Sequence, residues 1–238
     1  MSDQDAWKRA AAEAAMGEVR DGMTIGLGTG STAKHFVDLL GARVAEGWKV
    51  RGVPTSEATA AQAKSLNIPL PEFHEIDVIN VTVDGADEFD GERRLIKGGG
   101  GALLREKIIA GASQRMVVIA DDNKEVETLG KFPLPIEVVP FALSLTVTAL
   151  SNATRFVLGR EVDLKLRQTG EGKAFLTDGG HYIIDAHCRS IEQPEALAMA
   201  LAGIPGVVDH GLFLGMAELI LIGGPSGVRR IGGIPARP

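Results

Sequence analysis

Apolar residues in the first half of the chain alternate between two kinds of pattern. Short apolar runs such as MTIGLG (23–28) and RMVVIA (115–120) are typical of buried strands, whereas residues 4–20 and 31–45 have the spacing of helices with one apolar face. Further strands are predicted at KVRGV, DVINVTV and RRLI, and further helices at 56–67 and 101–112. Strands that alternate with helices predict an α/β fold, with a Rossmann-like parallel sheet and helices on both faces.

The pattern changes after about residue 130. PIEVVP and the helix-like FALSLTVTALSNAT are followed by AFLTDGGHYIIDAH, in which two alternating apolar runs flank an Asp-Gly-Gly turn and indicate a β-hairpin. With a helix at 192–204, residues 131–205 are predicted to form a smaller α+β lobe. Residues 206–238 return to strand character, and together with 1–130 they make up the predicted Rossmann-like domain.

Composition and charge limit the choice of partners. The 238 residues are 45% hydrophobic, and the net charge of -6 without any Lys/Arg-rich run argues against nucleic acid or an anionic membrane as a partner. No apolar run is long enough to span a bilayer and the charged start lacks a signal-peptide core, so we expect a cytoplasmic protein. Cys188 is the only cysteine, and a packed thiol is favoured over a nucleophile. The histidine spacings give no support for a zinc or iron site, so no metal is expected.

The first loop with distinctive chemistry is GLGTGSTA (26–33). Ligands of open α/β sheets bind at the carboxyl ends of the strands, and this loop follows the first predicted strand. Its alternating glycines allow the backbone to curl round an anion, while Ser31 and Thr32 offer hydroxyls at a helix start, which predicts a phosphate site. Ser31 stands where a dinucleotide fingerprint has its third glycine, so no dinucleotide is expected. The alternative is an ordinary tight turn with Ser31 as the helix cap.

The loop DGADEFDG follows another apolar strand and carries two aspartates, Asp84 and Asp87. Three roles remain open for them: contacts to substrate hydroxyls or proton transfer, metal ligation, and a solvated turn. A calcium loop would need a side-chain oxygen at Ala86, which has none. Lys124, after MVVIADDN, is a candidate phosphate or hydroxyl contact or an ordinary surface lysine, and Lys8 in the first helix is a weaker candidate.

The segment KGGGGALLREK (97–107) places four glycines between a predicted strand and a predicted helix. Consecutive glycines before a helix can present several N–H groups to one oxygen, and Lys97 adds a positive charge. Glu106 has apolar neighbours on the helix, and burial makes a carboxylate a better general base near neutral pH. The alternative is a structural ion pair of Glu106 with a nearby Lys or Arg. Together with the glycines, the pattern favours proton abstraction next to a carbonyl.

Five segments, in this order and spacing, resemble type A ribose-5-phosphate isomerases nearly end to end: GLGTGSTA, DGADEFD, KGGGGALLREKI, GKFPLPIEVVP and IPGVVDHGLF. The resemblance implies an aldose-ketose isomerase that interconverts D-ribose 5-phosphate and D-ribulose 5-phosphate through an enediolate, in the non-oxidative pentose phosphate pathway, without metal or cofactor. It also implies a ferredoxin-like second lobe and a homo-oligomer, either a homodimer or a tetramer.

The resemblance also implies roles for individual residues. Glu106 would move the proton between C2 and C1, and Lys97 with the glycine N–H groups would hold the enediolate oxygen. Asp84 and Asp87 would orient hydroxyls and move protons between oxygens, with the division of roles left open. Gly101, where many relatives have alanine, is a mild departure. The implied substrate contacts are Thr29, Gly30, Ser31, Thr32, Gly85, Ala86, Gly98, Gly99, Gly100 and Lys124.

Two other functions share parts of this sequence pattern. A sugar-phosphate deaminase has a similar glycine-rich phosphate loop, but the Asp and His arrangement expected for amine release is not found in this sequence. A non-catalytic sugar-phosphate sensor of the kind found in transcription regulators would need a DNA-binding module. We expect none, because the predicted sheet begins almost at the start of the chain.

Overall fold

The structure, a computed structural model, describes residues 3–233. Its six α-helices are α1 (Asp3–Ala15), α2 (Ser31–Ala45), α3 (Glu57–Ser65), α4 (Leu103–Ala112), α5 (Leu143–Leu158) and α6 (Pro194–Ala202). Its thirteen strands are β1 (Thr24–Leu27), β2 (Arg51–Pro54), β3 (Val81–Gly85), β4 (Glu88–Phe89), β5 (Leu95–Ile96), β6 (Met116–Asp121), β7 (Leu134–Val138), β8 (Asp163–Leu166), β9 (Tyr182–His187), β10 (Val207–His210), β11 (Leu212–Phe213), β12 (Ala217–Gly224) and β13 (Gly227–Gly232).

The chain divides into two compact units. The first contains the residues up to 86, residues 105–125 and those from 215 onward, and the second contains 87–104 and 126–214. The predicted boundaries, 1–130 with 206–238 and 131–205, differ from this division. Residues 87–104 group with the second unit because β4 and β5 form a small sheet with β11, and β10 joins the second unit by pairing with β7.

The first unit is built on a six-stranded sheet with the order β13-β12-β6-β3-β1-β2. Neighbouring strands run parallel except β13, which is antiparallel to β12. The strands β1 and β6 are buried along their whole length, as expected where helices cover a parallel sheet. The prediction of a parallel sheet flanked by helices is confirmed. RRLI, however, is not part of this sheet, because β5 pairs only with β4 and β11.

Small residues let α1 lie close to the sheet. The buried face of α1 consists of Ala11, Ala12 and Ala15, which pack in the same core as Phe36 of α2. In β12, a Cβ at Gly223 would lie 1.9 Å from the carbonyl oxygen of Trp7, so no larger residue fits at this approach of helix to strand. Among the described residues, none of the helices has both the length and the apolar character needed to cross a membrane.

The second unit has the element order β7, α5, β8, β9, α6, β10, with an antiparallel sheet ordered β10-β7-β9-β8. This is the ferredoxin-like arrangement that the resemblance implied. The predicted hairpin is wrong in one strand, because β9 pairs with β8 and residues 174–177 form only an isolated bridge and a turn. The alternation of apolar and polar residues led to the wrong prediction here, because Leu176 is exposed, whereas Thr177 is buried and donates to Glu137.

Candidate active site

The order of strands in the first unit reverses at β1, since β2 lies on one side of it and β3 on the other. Open α/β sheets bind ligands outside the carboxyl ends of the strands at such a point. The loop after β1 begins at Gly28, and the loop after β3 begins beyond Gly85. The predicted phosphate loop and the first predicted aspartate therefore meet at the position where this fold class places its ligands.

Asp84 ties these two loops together. Its side chain is fully buried, and Oδ1 accepts hydrogen bonds from the backbone N–H of Thr29 (3.1 Å) and of Gly85 (2.7 Å). A Cβ at Gly28 would lie 2.1 Å from the same oxygen, which explains the glycine. The carboxylate thus acts as an anchor for the backbone of the loop after β1.

The start of α2 has the features of an anion site. The residue before the helix is Gly30, with a φ of 115° and no side-chain cap, so the alternative role of Ser31 as helix cap is wrong. Instead the Ser31 hydroxyl accepts a hydrogen bond from Lys8 Nζ at 3.0 Å. Free N–H groups at a helix start, a hydroxyl and an ammonium group together attract a phosphate.

Hydroxyl groups surround the side chain of Thr29. Its Oγ1 lies 2.8 Å from Thr55 Oγ1 and Ser56 Oγ, and 3.1 Å from Thr59 Oγ1. Thr29, Gly30 and Thr59 also line a cavity of about 510 Å³. Thr55 and Ser56 follow β2 directly, so they lie at the same edge of the sheet as the loop after β1.

Two further predicted residues belong to the first unit. Glu106 lies in the first turn of α4 and is 4% exposed, so its expected burial is confirmed. Lys124 is half-buried in a 3₁₀ turn directly after β6, which runs parallel to β3. Its backbone therefore follows the carboxyl end of a neighbouring strand, as the sequence indicated.

The glycine loop lies in the second unit and owes its composition to two separate constraints. Gly98 and Gly101 have φ values of 102° and 81°, which residues with a side chain rarely adopt. A Cβ at Gly99 would lie 2.6 Å from Asp87 Oδ1, and the Gly99 N–H donates to Asp87 Oδ2 at 2.7 Å. The Gly101 N–H is used within the loop, because it donates to the Gly98 carbonyl. Lys97 is buried, with Nζ 5.4 Å from the centre of the Phe213 ring.

The predicted site residues are therefore divided between the units. Asp87, Lys97 and Gly98 to Gly100 belong to the second unit, and the others belong to the first: Thr29, Gly30, Ser31, Thr32, Asp84, Gly85, Ala86, Glu106 and Lys124. The chain crosses from one unit to the other after Ala86 and after Leu104, so site residues lie on both sides of each crossing. Over residues 3–233, His, Cys, Asp and Glu side chains form no group of three suited to hold a metal ion.

Comparison with known proteins decides the family. Residues 51–227 match the family model of ribose 5-phosphate isomerase A, also called phosphoriboisomerase A. The chain belongs to this family. The ribose-5-phosphate isomerase A of Rhodopseudomonas palustris (strain TIE-1) is 56% identical over 229 residues, which cover 96% of this chain and 98% of the relative. That of Bradyrhizobium diazoefficiens is 56% identical over 232 residues, 96% of each chain.

Solved structures of ribose-5-phosphate isomerases share the whole fold. A D-ribose-5-phosphate isomerase in complex with phospho-erythronic acid superposes with a TM-score of 0.91 and 36% identity, and the match covers 98% of this chain and 100% of the other. Ribose 5-phosphate isomerase A from Methanocaldococcus jannaschii gives a TM-score of 0.88 and 37% identity, with 96% and 99% covered.

For a ribose-5-phosphate isomerase A family member, the sequence reasoning missed several residues near the predicted site. Thr55 and Ser56 could have been found, because the rule that ligands bind after the strands applies equally to the loop after β2. Lys8 was named only as a weaker candidate because it lacked a local signal, since its contact with Ser31 joins residues 23 positions apart. Arg167, which contacts the glycine loop from 68 and 69 positions away, had none either.

Proposed function

We propose that the protein interconverts D-ribose 5-phosphate and D-ribulose 5-phosphate in the non-oxidative pentose phosphate pathway. The observation that carries this proposal is the anion site at the start of α2, where Lys8 contacts Ser31, in the same unit as the buried carboxylate of Glu106. A phosphate site binds the unreactive end of the sugar, and a buried carboxylate is suited to take a proton from carbon.

The chemistry follows from these parts. Glu106 takes the C2 proton of the open-chain aldose, the electrons of that C–H bond form the C1–C2 double bond, and the carbonyl electrons move to O1. Lys97 and the N–H groups of the glycine loop stabilise the resulting enediolate oxygen. Glu106 then returns the proton to C1, while a proton moves from the C2 hydroxyl to O1 and the C2 carbonyl forms.

The environments of the two aspartates support different roles. Asp84 is fully buried and holds the backbone of Thr29 and Gly85, so we assign it to positioning the phosphate loop. Asp87 is half-buried and accepts from Gly99, so we assign it to the sugar hydroxyls and to proton movement between oxygens. Thr32 and Lys124 would contribute phosphate or hydroxyl contacts.

The ligand of one solved relative supports the enediolate route. Phospho-erythronic acid combines a phosphate with a carboxylate, and a carboxylate is planar and anionic like an enediolate. We therefore expect phospho-erythronic acid to inhibit this protein in competition with ribose 5-phosphate. The expected cytoplasmic location and the homodimer or tetramer stay predictions.

The test is an assay for ketose with purified protein, ribose 5-phosphate and a chelator. Rapid formation of ribulose 5-phosphate that continues after exhaustive chelation is the expected result. Binding of the sugar phosphate without conversion would favour the sensor alternative and overturn the proposal. Activity that disappears on chelation and returns with one divalent ion would instead overturn the metal-free mechanism and restore the metal role for Asp84 and Asp87.

A further inference from the structure

Arg167, directly after β8, makes contacts in two directions within the second unit. Its Nη1 donates to the carbonyl oxygens of Gly98 (2.8 Å) and Gly99 (3.1 Å). Its Nε and Nη2 donate to the two carboxylate oxygens of Asp185 on β9, at 2.9 and 2.5 Å. The two side chains are only 14% and 19% exposed. A bidentate pair of this kind fixes the plane of the guanidinium group, so the glycine carbonyls face a rigid donor.

The contacts with the carbonyl oxygens also determine where the neighbouring N–H groups point. In a planar trans peptide the C=O and N–H bonds point in opposite directions. Because the Gly98 carbonyl faces Arg167, the Gly99 N–H points away from it, and there it meets Asp87 Oδ2 at 2.7 Å. The Gly99 carbonyl also faces Arg167, so the Gly100 N–H points away from the guanidinium too.

We propose that Arg167 is a positioning residue for the isomerisation, which orients the N–H group of Gly100 towards the oxygen that becomes negative and that of Gly99 towards Asp87. This inference rests on the proposed function. A run of glycines has no side chains to hold its peptides in one orientation, whereas stabilising developing charge requires donors that are fixed in advance. The cation at the carbonyl oxygens also polarises both peptides and strengthens their N–H groups as donors.

The chain offers a matched control for the test. Arg160, in the same unit, also binds carbonyl oxygens, those of Cys188 (3.0 Å) and Ser190 (2.5 Å), but these belong to a different loop. We expect Arg167→Met to lower kcat by about tenfold to a thousandfold, up to the effect of losing an oxyanion donor, with KM changed by less than about threefold. Arg160→Met should keep kcat within about twofold of the wild type, although both variants lose a half-buried arginine.

Inhibitor binding separates positioning from general destabilisation. If the Gly100 N–H binds the enediolate oxygen, the Ki of phospho-erythronic acid should rise in Arg167→Met in proportion to the fall in kcat, because its carboxylate uses the same donor. The Ki of inorganic phosphate should stay the same, since the predicted phosphate contacts belong to the first unit. A residue that only stabilises the fold would change both values or neither.

Asp185→Asn provides a second variant that keeps Arg167 but removes the charge that fixes it. It should lower kcat by less than Arg167→Met while raising the Ki of phospho-erythronic acid in the same proportion, and it decides the question if Arg167→Met fails to fold. The proposal is overturned if both variants turn over like Arg160→Met, or if the Ki of phosphate rises together with that of the carboxylate inhibitor. A wild-type protein that forms no ketose would reject the proposed function itself, whereas an active wild type with unaffected variants rejects only the role of Arg167.

Discussion

The buried carboxylate of Asp84 accepts a hydrogen bond from the backbone N–H of Thr29 at 3.1 Å, and through this bond the end of β3 holds the loop after β1. The same oxygen accepts from the N–H of Gly85, so one carboxylate oxygen serves two backbone donors. The family resemblance had implied a role in sugar chemistry for this residue. Its geometry supports a positioning role instead, with consequences for both stability and substrate binding.

Replacing Asp84 should therefore affect the fold and the Michaelis constant together. Asp84→Ala leaves two half-buried N–H groups without their acceptor, and each unsatisfied group costs up to about 1–3 kcal/mol of unfolding free energy. Asp87→Ala is the matched control for stability, because water can reach the exposed Gly99 N–H that it leaves. Urea unfolding of both variants and the KM of Asp84→Ala test this. Equal unfolding midpoints for Asp84→Ala and the wild type would contradict the anchoring role.

Lys8 should contribute to phosphate binding rather than to the chemical step. Lys8→Met removes the ammonium group that contacts Ser31 Oγ, so we expect KM for ribose 5-phosphate to rise about tenfold while kcat changes by less than about twofold, the behaviour of uniform binding. The control is Arg9→Met on the same helix, since the exposed pair of Arg9 with Glu13 is worth little. Kinetics at two salt concentrations provide the measurement. An unchanged KM in Lys8→Met would exclude the ammonium from the phosphate site.

Local signals explain which parts of the fold could be predicted. In the first unit, the hydrophobic periodicity and the residues that end each helix or strand lie within a few residues of each other. Helix α2 occupies 31–45 as predicted. The failures depend on distant partners. RRLI has strand composition, yet only Leu95 and Ile96 pair, with β4 and β11, and no local pattern shows that a strand leaves the main sheet. The hairpin error arose in the same way, because β8 rather than the nearer apolar run completes the pairing of β9.

The features of the site also differ in whether their signals are local or depend on distant residues. Glycines and hydroxyl-bearing residues after a strand predict a phosphate loop, and the burial of Glu106 follows from the apolar residues around it in the sequence. The use of the glycine N–H groups could not be predicted, because it depends on Asp87 Oδ2 and on the guanidinium of Arg167. Such contacts are set by tertiary packing, which periodicity does not encode.

Gly101 stands where many relatives of the family have alanine, and the effect of an alanine at this position depends on Phe175. A Cβ at residue 101 would lie 2.5 Å from the Phe175 ring, and the φ of 81° adds backbone strain. Gly101→Ala alone should therefore lower the unfolding free energy by about 1–3 kcal/mol. Adding Phe175→Val removes the clash, so the double variant should lose less than the sum of the single losses, with a coupling of about 0.5–3 kcal/mol in a double-mutant cycle. Additive losses would show that ring and glycine do not interact.

Cys188 should behave as a packed thiol. Burial raises its pKa from 9.0 to about 12, although nearby Arg160 opposes this shift. Iodoacetamide should therefore leave the native protein unlabelled and active at pH 8, and label it once it is unfolded in urea, because only the thiolate reacts. The unfolded state loses this proton near pH 9 and the folded state only near pH 12, so stability should fall as the pH rises between these values. Rapid labelling of the native protein would contradict the burial.

Glu106 is the residue on which the proposed chemistry depends most. Glu106→Gln keeps the size and the polar character of the buried side chain but removes its basicity. We expect kcat to fall by about a hundredfold to ten-thousandfold, the usual loss when a general base is removed, with KM nearly unchanged. The control is Glu57→Gln, the same change at an exposed carboxylate that pairs with Arg105 in the same unit. It should keep wild-type kinetics.

Solvent isotope exchange then shows whether Glu106 holds the transferred proton. In deuterated water the wild type should incorporate deuterium at the carbon-bound position, because a carboxylic acid that carries the proton can exchange it with solvent before returning it. Glu106→Gln should show no such incorporation, and Glu57→Gln should exchange like the wild type. If Glu106→Gln turned over and exchanged normally while Asp87→Asn did neither, Asp87 would be the base. Glu106 would then have a structural role in α4 and none in proton transfer.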